Sequence, residues 1–287
     1  MRVGVVGHSG YDGLEELVQH LVSEAPRLGL SLSFEESLLN LAGVGAEHLD
    51  DVASLDALLA FGGDGTLLRA ARMLGGAPAP IFGVNLGKLG FLTTCRAEEF
   101  QGLLPRFARG DYIAEQRMAL EAEWHDGPDA PSVRLRALND VVLHKGGFAR
   151  VLRMNLTVSG ERLGSLAADG IVISTPTGST AYSLSAGGPI VDPTLESILV
   201  TPVAAHTLAM RPVVLPGHAV LEVQADDSPE EVLVTVDGQV GTRLGPNQQL
   251  TVRRSSHPVW IVRMDDASFF GRLRAKMGWG GLAERDR

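Results

Sequence analysis

The stretch 58-LLAFGGDGTLLRAA-71 runs an apolar segment into two glycines, an aspartate and a third glycine, then into residues at helical spacing. Ala57 to Phe61 is a short continuous apolar run, which suits a strand covered on both faces. Leu67, Leu68, Ala71 and Leu74 mark one face of a helix expected to begin near Thr66. A strand that feeds a helix through a tight turn is the repeating step of a parallel sheet. Glycines permit positive φ and close approach of a ligand, and successive amides in such a turn can form an anion-binding nest at a helix start. Gly62, Gly63 and Gly65 are therefore candidates for cradling a phosphate. A carboxylate in that nest would repel phosphate, so Asp64 suits a different role, which is to hold Mg²⁺, to take a proton from an attacking hydroxyl, or both. That combination points to phosphoryl transfer. The plainer reading is a glycine turn with Asp64 as a helix cap. The turn is neither a Walker A loop nor a G-x-G-x-x-G fingerprint.

Working outward, the first third repeats the strand–helix alternation. Val3 to Val6 reads as a buried strand closed by Gly7 and Gly10. Asp12 and Glu15 have capping-box spacing ahead of Leu14, Leu17, Val18, Leu21 and Val22, and Pro26 is expected to end that helix. Leu30, Leu32 and Phe34 alternate as a strand, Ile81 to Val84 as another, and Phe100, Leu103, Leu104 and Phe107 mark a helix stopped by Gly110. Near residue 115 the texture changes to short alternating strands, with turn dipeptides at Ser159-Gly160 and Asp237-Gly238 and late strands at Val252 and Val259 to Val262. Phe269, Phe270, Leu273 and Met277 return to helical spacing. The expected architecture is an α/β domain over 1–115 with a Rossmann-like parallel sheet, an all-β sandwich over 116–265, and a helical segment over 266–287 packing back on the first domain. Sites often lie in clefts between two such domains.

The 287 residues carry a net charge of −9, which argues against a broad nucleic-acid grip. Cys95 is the single cysteine, so no internal disulfide or cysteine-built zinc site is expected, and it reads as a small buried side chain in a reducing compartment. No run approaches the ~20 apolar residues of a membrane-spanning helix and no secretory leader is evident, so the expectation is a cytoplasmic protein with no membrane partner. No cluster suggests a permanently bound transition metal. His206 reads as an interior histidine, and Lys88 and Arg211 read equally well as phosphate contacts or as solvated charges.

The second informative stretch is 169-DGIVISTPTGSTAYSLSAGGPI-190. A strand from Ile171 to Ile173 enters a loop of hydroxyl side chains, among them Thr177 and Thr180, and Tyr182 adds a flat ring suited to stacking on a base. Asp169 can accept hydrogen bonds from a ribose or an exocyclic amine, and Gly187-Gly188 leaves room for close backbone contact.

With these residues in view, the chain resembles the NAD kinase family. Gly62-Gly63-Asp64-Gly65-Thr66 matches the family's first motif, Leu138-Asn139-Asp140-Val141-Val142-Leu143 its Asn-Glu/Asp motif, and Ser174 to Tyr182 with Gly187 to Ile190 its long signature. Asn85 to Leu92, His206-Thr207-Leu208, Arg211-Pro212 and Val236 to Gln239 match further landmarks in order. The resemblance implies transfer of a phosphoryl group from ATP, or polyphosphate, to the 2′-hydroxyl of the adenosine ribose of NAD, with Mg²⁺ accompanying the nucleotide. It makes Asp64 the base at that hydroxyl. Asn139 and Asp140 would contact the base and riboses; Asp169, Thr177 and the run Thr180, Ala181, Tyr182, Ser183, Leu184 and Ser185 would line the dinucleotide pocket; Arg69, Arg150 and Gln239 fall at further contact positions. A homodimer or homotetramer is implied as well. Two departures stand out. Ala167 occupies a position that is basic in many bacterial relatives, which leaves NAD against NADH open, and Gly7-His8-Ser9-Gly10 is unlike the usual family start. Two rivals remain: a lipid or sphingoid kinase sharing the glycine–aspartate turn, which needs a greasy acceptor pocket, and a dinucleotide-binding sensor without turnover.

Overall fold

A computed structural model describes residues 1–88, 90–125, 131–146, 151–206, 210–225, 232–245, 248–264 and 268–279. The chain divides into two compact units, one made of Met1–Gln116 together with the chain from Val259 onward, the other of Arg117–Pro258.

In chain order the first unit holds β1 (Arg2–Gly7), α1 (Leu14–Leu28), β2 (Ser31–Phe34), α2 (Leu39–Ala42), β3 (Glu47–His48), β4 (Ala57–Gly62), α3 (Asp64–Met73), β5 (Ile81–Asn85), β6 (Cys95–Arg96), α4 (Ala97–Ala108) and β7 (Ile113–Arg117). The second holds β8 (Leu120–His125), β9 (Ser132–Ala137), β10 (Asp140–Lys145), β11 (Leu152–Val158), β12 (Glu161–Ala168), β13 (Gly170–Ser174), a 3₁₀ turn at Thr177–Thr180, α5 (Tyr182–Ser185), β14 (Ser197–Val203), β15 (Val213–Pro216), β16 (Leu221–Ala225), β17 (Val232–Val236), β18 (Val240–Leu244) and β19 (Gln249–Arg254). The chain then returns to the first unit as β20 (Val259–Arg263) and α6 (Phe269–Met277).

Among the described residues the first unit's strands run in the order β3-β2-β1-β4-β5-β20-β7, with β6 beside β5. Strands β1 to β6 and β20 pair in parallel. Every residue of β4 and β5 is buried, as an apolar strand covered on both faces requires. Order reverses between β1 and β4, so the loops after these strands diverge at their carboxyl ends. Open parallel sheets bind ligands at such switch points, and the glycine–aspartate turn after β4 sits at this one.

The second unit is built on two antiparallel six-stranded sheets, β15-β14-β13-β10-β17-β18 and β12-β11-β16-β19-β8-β9. Alternation along the strands decides which face is covered: Leu152, Met154 and Leu156 of β11 share one core with Val141 and Leu143 of β10 and Val232, Val234 and Val236 of β17. The two inner faces therefore pack as a sandwich. The turns read from sequence close β11 to β12 and β17 to β18, with positive φ at Ser159, Gly160, Asp237 and Gly238.

Several local expectations are corrected. Strand Val259–Arg263 pairs in parallel with β5, so the chain re-enters the first unit at Val259 rather than after residue 265. An apolar strand carries no mark of which sheet will accept it. Helix α1 starts at Leu14 with Gly13 at φ 78 as its N-cap and no side-chain cap, so the Asp12–Glu15 capping box does not form. Pro26 lies inside α1, which ends at Leu28 before Gly29 in a left-handed conformation. Helix α3 begins at Asp64, two residues before the expected start.

Candidate functional site

The first unit holds the turn after β4. Of its three glycines only Gly62 has positive φ, at 156°, and Gly63 caps α3 in an extended conformation. Gly62 is required on contact grounds too, since a Cβ there would sit 2.2 Å from Thr66 Oγ1. Asp64, the first residue of α3, turns its carboxylate toward the segment after β5: the Phe91 amide donates to Oδ2 at 2.8 Å and the Leu92 amide to Oδ1 at 3.0 Å. Gly90 lets this segment come so close, because a Cβ on it would lie 2.0 Å from Asp64 Oδ1. A carboxylate offers about four lone-pair positions, so two amide bonds orient Asp64 and still leave acceptor capacity. Asn85 shapes the same segment, accepting from the Gly87 amide at 3.0 Å and donating to the Lys88 carbonyl at 2.9 Å. Leu89 in this run lies outside the described residues.

Arg69 is engaged elsewhere in the turn's surroundings. Its guanidinium bonds both carboxylate oxygens of Glu35 and donates to the Gly7 carbonyl at 2.6 Å, while the Gly7 amide donates to Glu35 at 2.6 Å. Burial pushes the Glu35 carboxyl up, but the bonds from Arg69 and Gly7 outweigh it and hold the group below the usual carboxylate range. Arg69, on α3, thus ties that helix to the end of β1 and to Glu35 just after β2. Tyr11 from that loop packs near Gly63 and Gly87.

In the second unit, motifs far apart in sequence converge. Strands β10 and β13 pair with Asp140 opposite Ser174, and β10 and β17 pair with Val141 opposite Val236. The hydroxyl-rich loop is stitched to the Asn139 segment: the Thr175 amide donates to the Asn139 carbonyl at 2.9 Å, Thr175 Oγ1 donates to the Leu138 carbonyl at 2.6 Å, and the Gly178 amide donates back to Thr175 Oγ1 at 3.0 Å. Asp237 closes the arrangement by accepting from the amides of Leu138, Asn139 and Asp140 at 3.1, 2.7 and 3.2 Å. These residues border a cavity of about 530 Å³ that Asn139, Asp140, Asp169, Ala181 and Tyr182 help to line. Tyr182 is 45% exposed, leaving its ring free to stack on a planar ligand.

Residues 44–112 match the ATP-NAD kinase N-terminal domain family and residues 138–264 the ATP-NAD kinase C-terminal domain family. An NAD kinase of Gemmatimonas aurantiaca is 57% identical over 100% of this chain and 99% of its own length. The chain belongs to the NAD kinase family. An NAD kinase of Geobacter metallireducens is 44% identical over 84% of each chain. Among solved structures, yeast NADH kinase complexed with NADH aligns with a TM-score of 0.88 at 23% identity, over 98% of this chain and 88% of that one. An NAD kinase from Archaeoglobus fulgidus in complex with ATP aligns with a TM-score of 0.76 at 26% identity, over 97% and 98%.

The remaining residues singled out by the NAD kinase resemblance range from buried to exposed. Ser183 is fully buried and pairs its hydroxyl with Thr201 Oγ1 at 2.9 Å; Thr177 is buried and accepts from Arg117 at 3.4 Å. Thr180 donates to the Thr177 carbonyl at 3.4 Å. Leu184 is half-buried, and Ser185 and Gln239 are exposed. These residues shape the loop around Tyr182 and the hairpin beside the cavity. Arg150, and Thr207 and Leu208 of the His206 motif, lie outside the described residues.

Sequence reasoning misses Asp237 as a site residue, although its Asp-Gly dipeptide reads as a turn. It also misses Lys145, which lines the cavity and pairs with Asp169 at 2.6 Å, and the Phe91 and Leu92 amides. Asp237 could be found as an acidic residue in a family landmark; backbone amides leave no residue-type signal at all.

Asp140 is buried, and burial together with the neighbouring Asp237 carboxylate pushes its pKa up to about 7. The neutral form is therefore favoured in the folded state. The stability it lends is fully present below the ordinary carboxylate range and is lost as pH rises toward 7. Full ionisation costs at most about 4 kcal/mol. Asp140→Asn is expected to flatten the fall in unfolding free energy between pH 4 and 7 and to be more stable than wild type at pH 8. Denaturant unfolding across that range checks this, and an unchanged slope would remove Asp140 as its source.

Proposed function

We propose that the chain transfers a phosphoryl group from ATP to the 2′-hydroxyl of the adenosine ribose of NAD, giving NADP, with the roles that follow. The observation that supports this most directly is the convergence of Asn139-Asp140, the Thr175–Tyr182 loop and Asp237 on one cavity in a member of the NAD kinase family. Asn139 and Asp169 present hydrogen-bonding groups to the base and riboses, and the Tyr182 ring supplies a stacking face. Asp140, holding its proton up to about pH 7, can donate as well as accept.

Asp64 takes the proton from the 2′-hydroxyl as that oxygen bonds to the γ-phosphorus; the bridging bond to the β-phosphate breaks and ADP leaves. The amides of Phe91 and Leu92 fix the direction of the Asp64 carboxylate, so its contribution is placement. Among the described residues no cluster of three or more His, Cys, Asp or Glu side chains could hold a metal ion. A divalent cation arriving on the triphosphate as part of the substrate would neutralise phosphate charge.

The cavity lining, with Asn139, Asp140, Lys145, Asp169 and Asp237, fits a polar dinucleotide better than the lipid acceptor of the rival kinase. An aspartate held beside the phosphate-binding turn suits turnover better than a silent sensor. Incubation with ATP, Mg²⁺ and NAD is expected to yield NADP. Binding of NAD without product would favour the sensor, and phosphorylation of a lipid but not of NAD the rival kinase. No helix among the described residues is long and apolar enough to cross a membrane. A cytoplasmic homodimer or homotetramer is part of this proposal, as is use of polyphosphate as an alternative donor.

A further inference from the structure

Asp64 is aimed by two amides, and the residue that supplies the first of them is itself held from the other side by α6. Arg272 donates to the Phe91 carbonyl at 2.7 Å. Lys276, four residues on and so on the same helix face, places its ammonium 4.4 Å from the centroid of the Phe91 ring. Phe91 is thereby gripped by α6 at both carbonyl and ring, while its amide donates to Asp64 Oδ2.

The covalent geometry makes this more than proximity. The Phe91 carbonyl and the Leu92 amide belong to one planar peptide unit and point in opposite directions. A guanidinium on the carbonyl oxygen fixes the tilt of that plane, which aims the Leu92 N–H at Asp64 Oδ1, 3.0 Å away. Charge on the carbonyl side also polarises the peptide and strengthens the bond its N–H donates.

We propose that α6 is a positioning element for phosphoryl transfer, with Arg272 as its main agent and Lys276 in support, acting on Asp64 through Phe91. This rests on the role of Asp64 proposed above. Arg272 touches no reacting atom; it sets the direction of the group that does.

The test uses the full chain. Arg272→Met is expected to lower kcat about tenfold while KM for NAD and for ATP stay near wild type, and Arg272→Lys to recover most of the rate. In an Asp64→Asn background the same Met substitution is expected to change the residual rate little, because the group it positions is gone. Amide hydrogen exchange at Phe91 and Leu92 should rise in Arg272→Met, a readout that needs no turnover. Should that variant fail to fold, Lys276→Met carries the test, with a smaller loss of kcat and the same rise in exchange. An unchanged kcat with unchanged exchange would overturn the proposal, as would an equal loss of rate with and without Asp64. Wild-type protein that makes no NADP would sink the kinase reading instead, and exchange at Phe91 and Leu92 would still decide whether α6 holds this segment.

Discussion

Asp64→Asn is expected to lower kcat for NADP formation by about three orders of magnitude, a size typical of losing a positioned general base, and to leave NAD affinity close to wild type. The asparagine oxygen can still accept from one amide of the Phe91–Leu92 pair, but its NH₂ group then faces the other. One part-buried donor is left without its acceptor, at a cost of about 1 kcal/mol. The variant should therefore unfold at lower denaturant yet remain folded in buffer. Titration with NAD, unfolding curves and single-turnover kinetics separate these effects. A variant with near-wild-type turnover would take Asp64 out of the reaction. A variant that lost NAD binding in step with turnover would recast it as a binding residue.

Gly178→Ala is expected to damage the dinucleotide pocket more than any other single methyl in that loop. A Cβ at Gly178 would stand 2.1 Å from the Asn139 carbonyl oxygen, 2.5 Å from its carbonyl carbon and 2.7 Å from its Cα. All three are backbone atoms, so no rotamer change relieves the clash. The strand-end segment and the loop must move apart, which breaks the bond from the Thr175 amide to Asn139 and the bond from Thr175 Oγ1 to Leu138. Overpacking of this kind costs about 3 kcal/mol, and the displaced Asn139 and Tyr182 should weaken NAD binding at least about tenfold. Gly178 has no positive φ, so the loss is one of space alone. Wild-type affinity in this variant would show that the loop and the Asn139 segment need not touch to bind NAD.

Much of the fold is legible in the chain because periodicity encodes which faces are covered. Ala57–Phe61 and Ile81–Val84 read as strands buried on both sides, and β4 and β5 are so buried. The alternation of Leu152, Met154 and Leu156 matches one inner face of the sandwich. Helix ends are less legible. Pro26 tolerates a place inside α1, and Gly13 rather than Asp12 caps it. Side-chain pattern says little about a boundary that backbone geometry decides. For the same reason pattern alone puts β20 in the wrong sheet: Val259–Arg263 is apolar enough for either, and its place between β5 and β7 is decided by tertiary pairing.

By itself the sequence determined the chemistry available to this protein: a carboxylate at the start of a helix after a buried strand, a hydroxyl-rich loop with one aromatic ring, and an Asn-Asp pair. Those are matters of residue type and short spacing, which a linear chain records. Only the tertiary structure decided what each group faces. It turned Asp64 onto the amides of Phe91 and Leu92, tied Arg69 to Glu35, set Asp237 under the Asn139–Asp140 amides and brought Arg272 onto the Phe91 carbonyl. These contacts join residues 27 to 181 positions apart, several through backbone atoms that every residue type shares, so no local pattern in the chain could announce them.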